Sequence, residues 1–364
     1  MSEHILTSVN NQIAYLCMDR PAALNSLSLE MVRTLSAQLL AWREDTSIRA
    51  VVIHSSAEKA FCAGGDIRFF YEVGSVGPVG GSALLEDFFS EEYALNHLIH
   101  FYPKPYIAIM NGVVMGGGMG VAQAGPACRL RIVTERTKMA MPEVNIGLFP
   151  DVGGGYFLSR CPGQIGTYLG LSGDIITAAD ALYADLADVF VPTAELPALF
   201  ELLAHSDALD LRAAIREFAA PFAQQARPEA SMLARERALI DRHFSAASVP
   251  DIVTTLSADV AEFAQKTAAN MAKRSPLLMC VTREQLRRSA GMTVSDCLRM
   301  ERGMVRHCFT HGEVLEGIRA LVVEKDHAPQ WRPAQLSEVS KAMVQDFFAP
   351  AWPDYAHPLR ELRG

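Results

Sequence analysis

Three observations predict an α/β fold that gives way to a helical C-terminal half. Short β-branched runs alternate with amphipathic segments over roughly the first 190 residues. Clusters of glycine follow several of those runs, as strand-to-helix turns require. Beyond about Pro192 the β-branched runs nearly vanish, and segments rich in Ala, Leu, Glu and Arg take over. The chain therefore divides into a core over 1–192, expected to carry the active site, and a helical region over 193–364 packed on it. With 364 residues, 50% of them hydrophobic and 20% charged, there is enough apolar material for a large core.

Ile13–Met18 reads as a strand ended by Asp19, Arg20 and Pro21. Ser28 is placed to cap a helix through about Trp42, with Leu29, Val32, Leu35, Leu39 and Leu40 along one face. Ala50–His54 has the texture of a strand buried on both sides. A helix through Leu85–Ile99 follows, then a buried strand at Tyr106–Met110. A short helix should open at the Gly116–Gly120 cluster and run through Ala124, and Arg129–Thr134 reads as a further strand. In the second half, Glu195–Ser245 and Ile252–Arg288 are helical, with Pro221, Pro228 and Pro250 marking breaks. Val294–Val323 reads as two more helices, and the tail from Asp326 as a wrapping segment with one last short helix.

Several function classes fall away on composition. The formal net charge is −8 and there is no dense Lys/Arg block, which argues against nucleic acid as a partner. The longest uncharged stretch, Pro105–Cys128, is interrupted by Asn111, Gln123 and glycines, so no membrane span is expected. Seven scattered cysteines without a C-x-x-C pair favour buried thiols over disulfides or zinc. The pair His307 and His311 has helical spacing but no third ligand in register, so no metal is expected. The start, Met1-Ser2-Glu3-His4, has neither a signal-peptide nor a transit-peptide texture, and a cytoplasmic location is expected.

Glycine concentrates in three places: Ala60–Ile67, Asn111–Gly120 and Phe149–Gly155. Glycines after strands allow main-chain N–H groups to face outward, which suits an anion or a developing oxyanion; tight packing of strand on helix is the alternative. The spacing G-x-G-x-G does not match a dinucleotide fingerprint, and neither a P-loop nor a G-x-S-x-G elbow is present.

The runs F-C-A-G-G-D-I at 61–67, N-G-V-V-M-G-G-G at 111–118 and M-P-E-V-N-I-G-L-F-P-D-V-G-G-G-Y-F-L at 141–158 resemble the enoyl-CoA hydratase/isomerase (crotonase) superfamily. The pattern is most similar to its 3-hydroxyisobutyryl-CoA hydrolases. The resemblance continues through Glu91-Glu92-Tyr93 and through Glu316–Ala320 with Glu324-Lys325-Asp326. It implies a spiral of β-β-α turns with a helical C-terminal region, and two main-chain amides, Gly65 and Gly117, that hold an acyl-CoA thioester oxygen. Gly64, Asp66 and Gly116, which flank them, are expected against the substrate, and Arg68 near the nucleotide of coenzyme A. A homo-oligomer is also in keeping with the family.

The family's hydratases hold water between two glutamates. One matches Glu143, but the other falls on Gly120, which has no side chain to offer. Asp151 and Glu92 instead match functional positions of the hydrolases. On the residues alone, the alternatives are that Asp151 caps the helix that follows it and that Glu143 pairs with a basic side chain. Glu92 shares a 3-4-3-4 stripe with Leu85, Phe88, Leu95 and Ile99, so it lies either at the stripe's edge or buried with a raised pKa.

The expectation is an acyl-CoA thioester hydrolase acting on 3-hydroxyisobutyryl-CoA. Glu143 would serve as nucleophile or general base, Asp151 would orient the acyl group or relay a proton, and Glu92 would hold the substrate hydroxyl or support Glu143. Coenzyme A would enter as part of the substrate, with no separate cofactor. The alternatives are enoyl-CoA hydration or isomerisation on the same fold, and a non-catalytic acyl-CoA-binding protein.

Overall fold

In the computed structural model, which describes residues 2–77 and 82–364, nine strands form. They are β1 (Ile5–Asn10), β2 (Ile13–Met18), β3 (Ala50–Ser55), β4 (Ala60–Cys62), β5 (Tyr106–Met110), β6 (Val113–Met115), β7 (Arg129–Val133), β8 (Lys138–Ala140) and β9 (Val189–Phe190). A six-stranded sheet runs in the order β1-β2-β3-β5-β7-β9, antiparallel only between β1 and β2. A three-stranded parallel sheet runs β4-β6-β8. In the successive pairs β3–β4, β5–β6 and β7–β8, the first strand therefore joins the large sheet and the second joins the small one. That is the β-β-α repeat.

The buried strands β2, β3, β5 and β7 form where the sequence predicts them, whereas β1, of which only Ile5 is buried, was not predicted. β5 is buried along its whole length, as expected of a parallel strand covered on both faces. Ser28 caps the helix Leu29–Glu44 by accepting a hydrogen bond from the Met31 amide at 3.2 Å. The helix at the second glycine cluster is shorter than expected, Gly117–Ala122, and a strand, β6, precedes it.

Two compact units can be distinguished, each assembled from separate stretches: Met1–Gly65, Ala94–Ala140 and Ile175–Arg235 in the first, and Asp66–Tyr93, Met141–Asp174 and Glu236–Gly364 in the second. The first unit contains both sheets. Its core packs Ile13, Val52, Ile107, Ile109, Leu130 and Ile132 from the large sheet with Leu199, Leu203, Leu211 and Ile215 from the helices Leu196–His205 and Leu211–Ala219. Each such side chain contributes about 1.5–3 kcal/mol by leaving water.

The second unit is built on helices, among them Ile67–Gly74, Pro276–Ser289 and Val294–His311. Ser275 caps the second of these through the Leu278 amide, with Pro276 in its first turn. Thr293 caps the third, which stops at Gly312 with φ +81°. Phe70, Phe88, Phe89 and Phe309 form an aromatic cluster, with centroids 4.8 Å apart for Phe70–Phe88 and 5.7 Å for Phe89–Phe309. The edge of Tyr93 meets Phe89 at 6.2 Å, which fixes that ring beside the acids described below.

None of the seven cysteines is joined in a disulfide. His311 stacks on Phe347 at 4.8 Å, and His307 Nε2 lies 3.1 Å from the Ala349 carbonyl oxygen. Among the described residues no three His, Cys, Asp or Glu side chains are grouped to hold a metal ion, and no helix is long and apolar enough to cross a membrane.

Candidate active site

The first unit brings two glycine loops together. Leu27 donates its amide to the Gly64 carbonyl at 2.8 Å, and Gly64 takes φ +104°, a conformation open to glycine. A Cβ on Gly64 would lie 3.2 Å from the Met115 oxygen and 3.6 Å from the Gly117 nitrogen, so the two motifs touch main chain to main chain. Gly116, at φ +49°, caps the helix that Gly117 opens. As the first residue of a helix, Gly117 has no carbonyl within that helix for its N–H. Gly64, Gly65, Gly116 and Gly117 are thus neighbours, drawn from residues about 50 positions apart in the sequence. Gly120 is buried in the same short helix.

The second unit collects the acids. Glu92 comes from the helix Ala83–His100, Glu143 opens the turn Glu143–Ile146, and Asp151 precedes the short helix Gly154–Leu158. Their exposures are 2%, 6% and 5%, so none faces bulk water. Glu92 lies inside its apolar stripe with Leu85, Phe88, Leu95 and Ile99, all buried, and not at its edge. Asp151 does not cap the following helix; Gly153 occupies that position, and the Asp151 carboxylate accepts a hydrogen bond from the Tyr93 hydroxyl at 2.6 Å. Among the described residues no basic side chain pairs with Glu143, whose carboxyl is raised by burial and by the charge of Asp151. Glu92 Oε1 and Glu143 Oε2 are buried without a hydrogen-bond partner among the described residues.

Burial without a cation shifts all three acids upward. Glu92 and Glu143 lie well above the usual carboxylate range, first through loss of water and then through the charge of Asp151. Asp151 is raised to about 6, again by burial, but the Tyr93 hydroxyl and its own amide stabilise its charged form. The charge of Asp151 works against ionisation of both glutamates, and the three acids titrate as one interacting set.

Asp66 and Arg68 lie apart from these acids in role. Asp66 caps the helix Ile67–Gly74 by accepting from the Phe69 amide at 3.3 Å, and Arg68 is exposed on its first turn. Sequence reasoning missed two buried groups. Tyr93 is one, adjacent to Glu92 in a motif already singled out. Glu301 is the other, a fully buried acid on the helix Val294–His311 whose carboxylate takes hydrogen bonds from the Gly153 and Gly155 amides at 2.8 and 2.9 Å. Its signal was present: Leu298, Glu301, Val305 and Cys308 form a 3-4-3 stripe, the same pattern that drew notice at Glu92.

A family model described as enoyl-CoA hydratase/isomerase matches residues 13–348. A curated relative from Danio rerio, named 3-hydroxyisobutyryl-CoA hydrolase, mitochondrial, is 38% identical over 91% of this chain and 86% of its own length. A solved structure of a carnitinyl-CoA dehydratase from Mycobacterium thermoresistibile is 38% identical, with a TM-score of 0.86 over 97% of this chain and 98% of that one. A solved enoyl-CoA hydratase from Rhodobacter sphaeroides is 33% identical, with a TM-score of 0.83 over 96% and 98%.

Proposed function

The chain belongs to the enoyl-CoA hydratase/isomerase family, and from that membership we propose that it hydrolyses an acyl-CoA thioester, with 3-hydroxyisobutyryl-CoA as the substrate. The relatives bearing the hydrolase name are 34–38% identical over nearly the whole chain. The observation that carries the reading within this chain is the buried Glu143–Asp151–Glu92 set, in which Asp151 accepts from Tyr93 at 2.6 Å while burial raises all three carboxyls. Such a set can offer a base and an acid at once, which is what splitting a thioester with water needs.

The resemblance gives the amides of Gly65 and Gly117, neighbours within the first unit, the part of oxyanion donors, each such donor being worth about 3 kcal/mol as negative charge builds on a thioester oxygen. Asp151, charged and steadied by Tyr93, takes a proton from water as its oxygen bonds to the acyl carbon. The carbon–sulfur bond then breaks, and Glu143 passes its proton to the departing sulfur. The proton on Asp151 returns to Glu143, leaving a hydroxy acid and free coenzyme A. Glu92, with an unpartnered oxygen, is the group to receive the substrate's hydroxyl. Water is the only co-reactant, and coenzyme A arrives with the substrate.

A second reading, hydration or dehydration of an enoyl-CoA, is favoured by the names of the two solved relatives. Against it stands Gly120, where the resemblance places the hydratases' second glutamate and this chain has only a hydrogen atom. One assay decides: thiol release from 3-hydroxyisobutyryl-CoA against loss of conjugated absorbance from the matching enoyl ester. We expect thiol release, reduced at least about a hundredfold in kcat by Glu143→Gln and by Asp151→Asn. Turnover of the enoyl ester alone would overturn the hydrolase reading.

A further inference from the structure

The main chain on either side of Asp151 is held in an unfavourable shape. Val152 takes φ +53° and Gly153 φ +86°, two left-handed residues in succession. A β-branched residue there is a genuine outlier, which persists only where its surroundings over-determine it. The surroundings are specific. Gln285 donates from Nε2 to the Pro150 carbonyl at 2.7 Å, gripping the turn before Asp151. Glu301 accepts from the Gly153 amide at 2.8 Å and the Gly155 amide at 2.9 Å, gripping it after. The same Gln285 nitrogen reaches Glu301 Oε1 at 3.1 Å, joining the two grips.

The grip is close and has a rigid base. A Cβ on Gly155 would come within 2.9 Å of Glu301 Oε1 and 2.4 Å of Ser289 Oγ, so only glycine lets the main chain sit this near the carboxylate. Glu301 is fully buried in the middle of the helix Val294–His311. Its neighbour Arg302, also buried, ties that helix to Glu86 and, at 3.0 Å, to the Ser90 hydroxyl. Asp151 is thereby fixed twice, through its carboxylate by Tyr93 and through its main chain by Glu301 and Gln285.

We propose that Glu301 is a positioning residue for the hydrolysis: by clamping the Gly153 and Gly155 amides it sets where the Asp151 carboxylate stands. The inference rests on the hydrolase reading, in which Asp151 acts on water. A clamp of this kind acts on the chemical step and not on the affinity for the acyl-CoA, because displacing a base by about 1 Å costs on the order of a hundredfold in rate.

The test compares Glu301→Gln, which keeps one acceptor oxygen in nearly the same shape, with Glu301→Leu, which keeps none. Thiol release from 3-hydroxyisobutyryl-CoA is expected to fall about tenfold in kcat for the first and about a hundredfold for the second, with KM within about threefold of wild type. Hydrogen exchange at the Gly153 and Gly155 amides should quicken in the same order. A folded Glu301→Gln protein with wild-type kcat and wild-type exchange at those amides overturns the inference while leaving the hydrolase reading intact. A loss that appears in KM alone also overturns it. Absence of thiol release from the wild-type protein overturns the hydrolase reading, and the inference falls with it.

Discussion

A single hydroxyl group divides the labour among the buried acids. Tyr93 donates to Asp151 at 2.6 Å, and this bond holds Asp151 near 6 while Glu143 and Glu92 remain well above their ordinary values. Removing it with Tyr93→Phe leaves burial unopposed by that donor, so the Asp151 carboxyl should titrate higher. The acidic limb of the kcat/KM profile for thiol release is expected near pH 6 in the wild type and about one pH unit higher in the variant. The two enzymes should then differ several-fold at pH 6 and little at pH 8.5. A limb that stays in place would show that Asp151 is not the group being titrated. Of the acids, Glu92 was legible in the sequence from its place in an apolar stripe, where a carboxylate is conspicuous, whereas Glu143 and Asp151 stood out only through the resemblance. Their partner was not, because a tyrosine in a helix full of aromatics carries no mark of where its hydroxyl points.

At the level of elements, glycine decides how closely two strand ends can approach. Gly118, in the helix Gly117–Ala122, sits so near the end of β4 that a Cβ would lie 2.3 Å from the Cys62 carbonyl oxygen. The obstacle is main chain and cannot rotate away. Gly118→Ala should therefore cost about 2–4 kcal/mol of stability and push the Gly64–Gly65 loop away from Gly117. The expected result is a lower urea midpoint together with a loss of thiol release that persists at low temperature, where the variant is folded. An alanine variant as stable and as active as wild type would mean the two loops are free to move. The sequence announced β2, β3, β5 and β7, whose five or six residues form recognisable buried runs. It was silent on β4, β6 and β8, each three residues long, and on β1, where only Ile5 is buried. Three residues are too few to display a period of two, and an edge strand facing water lacks the alternation altogether.

Across the whole molecule, storing unpaired acids in the interior makes stability depend on pH in a definite direction. Asp151 is raised from 3.8 to about 6 and Glu301 from 4.5 to about 8, in both cases chiefly by burial. An acid whose folded value is raised binds its proton more tightly in the native state than in the unfolded chain. Its contribution is complete below about pH 4 and is lost as the pH rises through 6 and then 8, each tenfold difference in proton affinity being worth about 1.4 kcal/mol. Thermal melts should accordingly give a lower Tm at pH 8.5 than at pH 5.5. Glu301→Gln, which cannot ionise, should lose the part of that decline that lies above pH 7. A Tm that rises across this interval, or a variant with an unchanged slope, would contradict the account.

What the sequence by itself determined was what is written in short-range pattern: the α/β class, the buried strands β2, β3, β5 and β7, the cap at Ser28, the glycine motifs and the carboxylate in the stripe at Glu92. Propensity, periodicity and capping act over a few residues, so a one-dimensional reading can recover them. Only the tertiary structure decided that Glu301, separated from Asp151 by most of the second half of the chain, grips the turn beside it, and that Tyr93 holds its carboxylate. Those contacts arise because folding removes the acids from water and leaves them to find donors wherever packing has placed them. No local pattern encodes that choice, since it depends on which distant main-chain amides happen to be left without a partner.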